Sequence, residues 1–82
     1  MTWNELANGG AWSGPQAREV IRLARAKMSV RQIAIELDTT ERTVERWASG
    51  QFAPTREANR AALVKLALAR LTPVERGKIG NL

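Results

Sequence analysis

The chain has 82 residues and a net charge of +5, which arises from 13 Lys and Arg residues against 8 Asp and Glu residues. Its hydrophobic content of 44% is sufficient for a core, so length and composition predict one small folded domain and exclude a disordered tail. Cys and His are both absent, which excludes disulfides, Cys/His zinc sites and catalysis by thiol or imidazole groups. We therefore expect no enzyme activity, no cofactor and no small-molecule substrate.

No pattern in the sequence indicates a secretory or membrane segment. The first ten residues lack the basic start and apolar stretch of a signal peptide. No apolar run approaches the roughly 18 residues that a membrane helix needs. We therefore expect a cytoplasmic location and no membrane partner.

The N-terminal segment differs from the rest of the chain in charge and in glycine content. All 13 basic residues lie from Arg18 onward, whereas Glu5 is the one charged residue before that position. Any contact with a polyanion is therefore expected in the later part of the chain. Between Trp3 and the first helical pattern, a cluster of turn-forming residues predicts a loop or a loosely docked arm: Gly9, Gly10, Ser13, Gly14 and Pro15. We expect Trp3 and Trp12 to pack onto the domain rather than onto a partner chain.

The first clear helical pattern follows this arm. Pro15 is suited to the first turn of a helix, and apolar residues then recur at spacings of three and four, which predicts an amphipathic helix that ends near Lys27. The opposite face carries three basic residues at positions i, i+4 and i+7, namely Arg18, Arg22 and Arg25. This row can contact phosphates, or it can be a solvated face paired with Glu19.

Two short helices with a polar turn between them come next. Ser29 begins a Ser-x-x-Gln sequence of capping-box spacing, which predicts a helix over Val30 to Leu37. Residues 38–40 are short and polar and interrupt the apolar pattern. Thr40 can cap a third helix over Glu41 to Ser49.

The positions after the third helix end it and begin a fourth. Gly50 stands where a left-handed C-terminal cap is common, and Pro54 prevents the helix from resuming. Thr55 can cap a fourth helix that ends near Leu71. Because glycines discourage a further helix, residues 73–82 are predicted to form a mobile tail.

The predicted fourth helix is apolar on two adjoining sides. These sides are formed by Ala61, Val64, Leu68 and Leu71 and by Leu63, Leu66 and Ala67. One small core can hardly bury both of them. The surplus side predicts a two-fold contact that forms a homodimer or, alternatively, a monomer in which the N-terminal arm folds over that side.

The two short helices and their turn form the helix-turn-helix pattern, which lets a second helix enter the major groove of DNA. Four apolar residues are expected to close the angle between them: Ile33, Leu37, Val44 and Trp47. Steps of about 100° per residue place a polar face on the third helix opposite Val44 and Trp47. From this face we expect base contacts by Arg42, Thr43, Glu45 and Arg46, because Arg can bond guanine with two donors, Glu can accept from cytosine and Thr can touch a thymine methyl or a phosphate.

The stretch SVRQIAIELDTTERTVERWASGQFAP resembles the motif of the phage-repressor helix-turn-helix family, the Cro and XRE-like regulators, with matches at Ala34, Val44, Trp47, Gly50 and Pro54. The resemblance covers roughly Gln16 to Leu71. It implies an all-α fold, a compact bundle of four to five helices containing a helix-turn-helix, and binding to a double-stranded DNA operator, commonly as a dimer.

Two positions depart from the family pattern. Asp38 stands where the family usually has glycine in the turn, and Asp tolerates the left-handed backbone needed there. Val30 replaces a glutamine that often contacts phosphate, so neighbouring residues are expected to supply such a contact. The phosphate contacts that we expect are Arg31, Gln32, Thr40, Ser49 and Gln51.

The sequence thus predicts an arm over residues 1–14, a helix-turn-helix DNA-binding domain over residues 15–72 and a tail over residues 73–82. The expected function is a sequence-specific transcriptional regulator of the phage Cro or repressor type, acting in a bacterial host cell. The alternatives are a protein-interaction module and an accessory DNA-binding factor in excision or transposition. Salt-dependent binding to duplex DNA would separate a DNA-binding protein from an interaction module.

Overall fold

The computed structural model describes residues 2–82, so Met1 of the predicted arm lies outside the described residues. Over these residues the chain forms α-helices and no strands: α1 (Trp3–Ala7), α2 (Gly14–Arg25), α3 (Val30–Glu36), α4 (Glu41–Ala48), α5 (Glu57–Arg70) and α6 (Pro73–Gly80). The predicted all-α bundle with a helix-turn-helix is confirmed, with one helix more than the upper prediction. None of these helices has the length and apolar character needed to span a bilayer.

Local capping bonds decide where the central helices begin. The Ser13 hydroxyl accepts from the Gln16 backbone N–H at 3.3 Å, and the Gln16 side chain accepts from the Ser13 N–H at 2.9 Å. At the start of α3 the Ser29 hydroxyl accepts from the Gln32 backbone N–H at 3.1 Å, without a return bond from the Gln32 side chain, and Thr40 caps α4 at 3.2 Å. The predicted starts of α3 and α4 are therefore confirmed.

The start of α5 differs from the prediction. Thr55 does not cap this helix, because α5 begins at Glu57 and its N-cap is Arg56, which makes no side-chain capping bond. The Thr55 carbonyl instead accepts a hydrogen bond from the Arg60 guanidinium, one turn into the helix. The loop between Gly50 and α5 is therefore longer than the sequence pattern indicates.

The core is centred on α2, which packs against α4, α5 and α6. Its inner face consists of Ala17, Val20, Ile21 and Ala24, all with no exposed area. The residues predicted to close the helix-turn-helix are also buried, since Ile33 and Val44 are fully covered and Leu37 and Trp47 are 3% and 4% exposed. This part of the predicted core is confirmed.

The N-terminal segment is not loosely docked, and it contains a short helix before the loop of residues 8–13. Thr2 and Glu5 form a capping box at the start of α1, and Leu6 of this helix is 1% exposed. Trp12 is 5% exposed and meets Trp3 edge to face, with 6.2 Å between ring centroids. The expected packing of both Trp residues onto the domain is confirmed, and the predicted loop is confirmed for residues 8–13. The helix over Trp3–Ala7 was not predicted, and its capping box and the buried Leu6 stabilise it.

The C-terminal segment is not a mobile tail either. Thr72 and Glu75 form a capping box at the start of α6, with Pro73 in the first turn. Ile79 has no exposed area, and Gly80 is also buried. A Cβ atom at position 80 would lie 3.0 Å from the Cα of Trp3 and closer still to its backbone nitrogen. The glycine that suggested a break in the helix thus allows α6 to approach the backbone of α1.

The two apolar sides of α5 differ in how far they are buried. Leu63, Leu66 and Ala67 are buried in the core. On the other side, Val64 is partly buried and shares a cleft with Leu6 of α1, whereas Leu68 is 55% exposed. The N-terminal segment therefore covers part of the side that we considered for a homodimer contact.

Candidate nucleic-acid interface

The turn between α3 and α4 sets the angle of the two helices. Asp38 adopts a left-handed conformation with φ of 53°, as predicted, and the next backbone N–H, of Thr39, bonds to the Ala34 carbonyl at 2.9 Å. Ala34 is 4% exposed and belongs to the buried core. The left-handed turn residue and this backbone bond thus fix the direction in which the chain enters α4.

The polar face of α4 points to solvent. Arg42, Glu45, Arg46 and Ser49 are exposed, opposite the buried Val44 and Trp47. Thr43 is half-buried at the edge of this face. The predicted orientation of α4 is therefore confirmed, and its proposed base-contacting residues share one side of the helix.

The hydroxyl groups of Thr40 and Thr43 are bonded to each other at 3.1 Å. Thr40 also accepts from the Thr43 backbone N–H as the N-cap of α4. In the bond between the hydroxyls one group must donate its proton, so one proton of the pair stays available for a phosphate oxygen. The pair can therefore make one phosphate contact without losing its internal bond.

Ser49 is occupied by the end of α4. Its hydroxyl donates to the Arg46 carbonyl at 2.7 Å and accepts from the Gln51 backbone N–H at 3.3 Å. A hydroxyl has a single proton, so a phosphate contact by Ser49 requires that the bond to Arg46 is given up. The Gln51 side chain is exposed and has no such cost.

The remaining predicted phosphate contacts lie in the first turn of α3. Arg31 and Gln32 are both exposed there, and only the backbone N–H of Gln32 is used by the Ser29 cap. The N-terminal end of a helix favours anions because its backbone N–H groups and its dipole point outward. These two side chains are therefore free at a helix end that attracts phosphate.

An aromatic residue that the sequence analysis did not single out lies beside this face. The Arg46 guanidinium carbon stands 5.2 Å from the centroid of the Phe52 ring, within cation–π range. Phe52 is 48% exposed in the loop after Gly50. A lone exposed aromatic in a loop gives no periodic signal, so only the folded loop shows that it contacts Arg46.

The basic row of the first predicted helix lies on α2, and we call Arg18, Arg22 and Arg25 the α2 arginine row. All three are exposed, and with Ala48 of α4 they line one hollow of about 260 Å³. Arg22 is paired with Glu19, as the solvated-face interpretation expects, and this bond raises the pKa of Arg22. Among residues 2–82, Arg18 and Arg25 form no ion pair.

Comparison with known proteins agrees with this geometry. Residues 16–51 match a family model described as a homeodomain-like domain, and this range runs from α2 through α4 to Gln51. Searches of curated proteins and of solved structures gave no significant match. The family match supports a helix-turn-helix DNA-binding domain of a general kind and does not single out the phage-repressor family. Over these 36 residues the chain is similar to homeodomain-like helix-turn-helix domains.

Proposed function

We propose that this protein is a sequence-specific regulator of transcription of the phage Cro or repressor type that reads double-stranded DNA with α4. The observation that carries the proposal is the exposed polar face of α4, on which Arg42 and Arg46 form no ion pair within residues 2–82. A helix with its side chains is about 10–12 Å across, which fits the roughly 12 Å major groove. The guanidinium groups of α4 are thus available to base edges.

The residues of this face have different roles in the proposal. Arg42 and Arg46 each bond the O6 and N7 atoms of a guanine, and Glu45 accepts from a cytosine amino group. Thr43 contacts a thymine methyl or a phosphate at the edge of the face. Because Glu41 and Glu45 repel phosphates, α4 binds poorly to DNA that lacks the matching bases.

Phosphate contacts fix α4 in the groove without reading the sequence. Arg31 and Gln32 supply them from the first turn of α3, and the Thr40 and Thr43 pair and Gln51 supply them around α4. Ser49 has the weakest support, because its proton is already donated to the Arg46 carbonyl.

The deciding experiment selects bound sequences from a random duplex pool and then measures variants on the selected site. Arg42→Ala and Arg46→Ala should each lose about 1–3 kcal/mol on that site and relax the base preference at one position. Arg31→Ala should weaken binding to selected and unrelated DNA about equally. It should lower the salt slope, by which we mean the magnitude of the slope of log K against log salt, by about one.

Three outcomes would contradict parts of this proposal. An equal loss on all sequences would make Arg42 and Arg46 phosphate contacts. An unchanged salt slope would remove Arg31 from the interface. A wild-type protein without salt-dependent binding to duplex DNA would reject the proposed function and favour a protein-interaction module.

Of the two predicted states, a homodimer and a monomer, the partial cover of the surplus side of α5 by α1 favours the monomer. On the surplus side of α5, Val64 borders α1. Leu68 is the large apolar residue of that side that stays exposed. Two chains on one operator would place two copies of α4 roughly 34 Å apart on a near-palindromic site. Sedimentation at micromolar protein, with and without the selected site, counts the chains, and one chain per site would reject the homodimer.

A further inference from the structure

The α2 arginine row lies beside α4 rather than on a distant surface. The hollow that its three side chains share is closed on one side by Ala48, in the last turn of α4. With 3.6 residues per turn, Ala48 lies about 60° around the helix axis from Glu45 and about 100° from Ser49. The hollow thus borders the face that we propose to read bases.

This position determines what the row meets when α4 is in the major groove. A helix of about 10–12 Å nearly fills a groove of about 12 Å, so side chains that flank the helix face the phosphates at the groove walls. Arg side chains are long and carry planar donors that match phosphate oxygens. The row therefore combines the position and the chemistry of a phosphate contact.

The local packing also prepares Arg18 for binding. A Cβ atom at Gly50 would lie 3.0 Å from the Cδ atom of Arg18, so the glycine lets the Arg18 side chain pass closely over the end of α4. Gly14, at the start of α2, approaches the Gly50 carbonyl in the same region, where a Cβ atom would lie 3.0 Å from the Gly50 carbonyl carbon. A side chain held along its stem loses less conformational freedom on binding.

We propose that the α2 arginine row binds the phosphate backbone of duplex DNA alongside α4, as a second contact surface in addition to the first turn of α3. This inference rests on the proposed function and names a further part of the same interface. Arg18 and Arg25 supply the contacts, and Arg22 joins them when it exchanges Glu19 for a phosphate. Such contacts add affinity and no base preference.

The test compares two double variants that each remove two positive charges. Arg18→Gln with Arg25→Gln changes the row, and Lys65→Gln with Lys78→Gln changes exposed residues of α5 and α6 that form no ion pair within residues 2–82. Affinity is measured by fluorescence anisotropy over a salt series, on the selected duplex and on an unrelated one. Each lost phosphate contact lowers the salt slope, which is the magnitude of the slope of log K against log salt, by about 0.9.

The row variant should lower this slope by about two on both duplexes and leave the ratio of the two affinities unchanged, whereas the control should keep the wild-type slope. An unchanged slope, or an equal decrease in the control, would overturn the inference. The proposed function would still stand in that case if Arg42→Ala and Arg46→Ala relax the base preference. A wild-type protein that does not bind duplex DNA would overturn both. If the double variant does not fold, Arg25→Gln alone, at an exposed position, should lower the slope by about one.

Discussion

The helix pair α3 and α4 and the helix pair α1 and α6 are built from short helices of 5 to 8 residues, and all but α3 carry an acidic residue in the first turn. They differ in how their contacts are distributed along the chain. The pair α3 and α4 packs across a turn of four residues, whereas α1 and α6 meet from opposite ends of the sequence. The first pair can therefore be predicted from local pattern, and the second depends on the closure of the whole fold.

The largest expected effect comes from removing a buried side chain of α6, compared with an exposed one of the same helix. Ile79 has no exposed area, so Ile79→Ala should destabilise the protein by about 2–5 kcal/mol, as a core substitution does. Val74 in the same helix is 69% exposed, and Val74→Ala should stay within about 0.5 kcal/mol of wild type. Urea unfolding followed by circular dichroism measures both. Equal stability of the two variants would mean that α6 does not belong to the folded core.

The contact between α1 and α6 depends on one glycine. Gly80→Ala places a Cβ atom 2.9 Å from the carbonyl carbon of Thr2 and against the backbone of Trp3, which should destabilise the fold by about 1–3 kcal/mol. Gly77 is the matched control, because a Cβ atom there has no neighbour within 4 Å. Gly77→Ala should stabilise α6 by about 0.5–1 kcal/mol through helix propensity. A neutral Gly80→Ala would contradict the close approach of the two helices.

The ion pair of α6 predicts a dependence on pH. Lys27 donates to the Glu75 carboxylate at 2.7 Å and the Thr72 backbone N–H donates to it at 2.8 Å, and these bonds lower the pKa of Glu75 from 4.5 to about 2. The unfolded chain takes up this proton first as the pH falls. The stabilisation is therefore complete above about pH 4.5 and is lost between pH 4.5 and 2.

Glu75→Gln removes the charge and keeps a capping side chain, so the melting temperature of this variant should fall less steeply than that of wild type between pH 4.5 and 2. Glu5→Gln is the control, since Glu5 holds the same place in the capping box of α1 and forms no ion pair within the described residues. It should keep the wild-type dependence. Parallel curves for wild type and Glu75→Gln would contradict the role of the Lys27 pair.

The smallest expected effect concerns the loop after α4. If the Phe52 ring holds the Arg46 guanidinium, Phe52→Leu should lower the discrimination at the base read by Arg46 by about 0.5–1 kcal/mol. Phe52→Trp keeps an aromatic face and should retain wild-type discrimination. Competition binding with single-base variants of the selected site measures the difference. A Leu variant that discriminates as wild type does would show that Arg46 needs no aromatic support.

The candidate interface was predictable because its signals are local. Thr40 caps α4 three residues before Thr43, Asp38 adopts its left-handed conformation in the turn, and the spacing of Val44 and Trp47 orients the helix. The contact between Arg46 and Phe52 was not predictable in this way. It joins a helix to an irregular loop, where side-chain direction follows no period.

The same limit applies to the termini and to the α2 arginine row. By itself, the amino-acid sequence determined the helix-turn-helix, its capped starts, its left-handed turn residues and the polar face of α4, because each depends on residues within about one helical turn. Only the tertiary structure decided that both ends of the chain form packed helices and that Arg18, Arg22 and Arg25 stand beside Ala48. Gly80 illustrates the reason, since its low helix propensity is a local property, whereas the room that it makes for Trp3 depends on a residue 77 positions earlier in the chain.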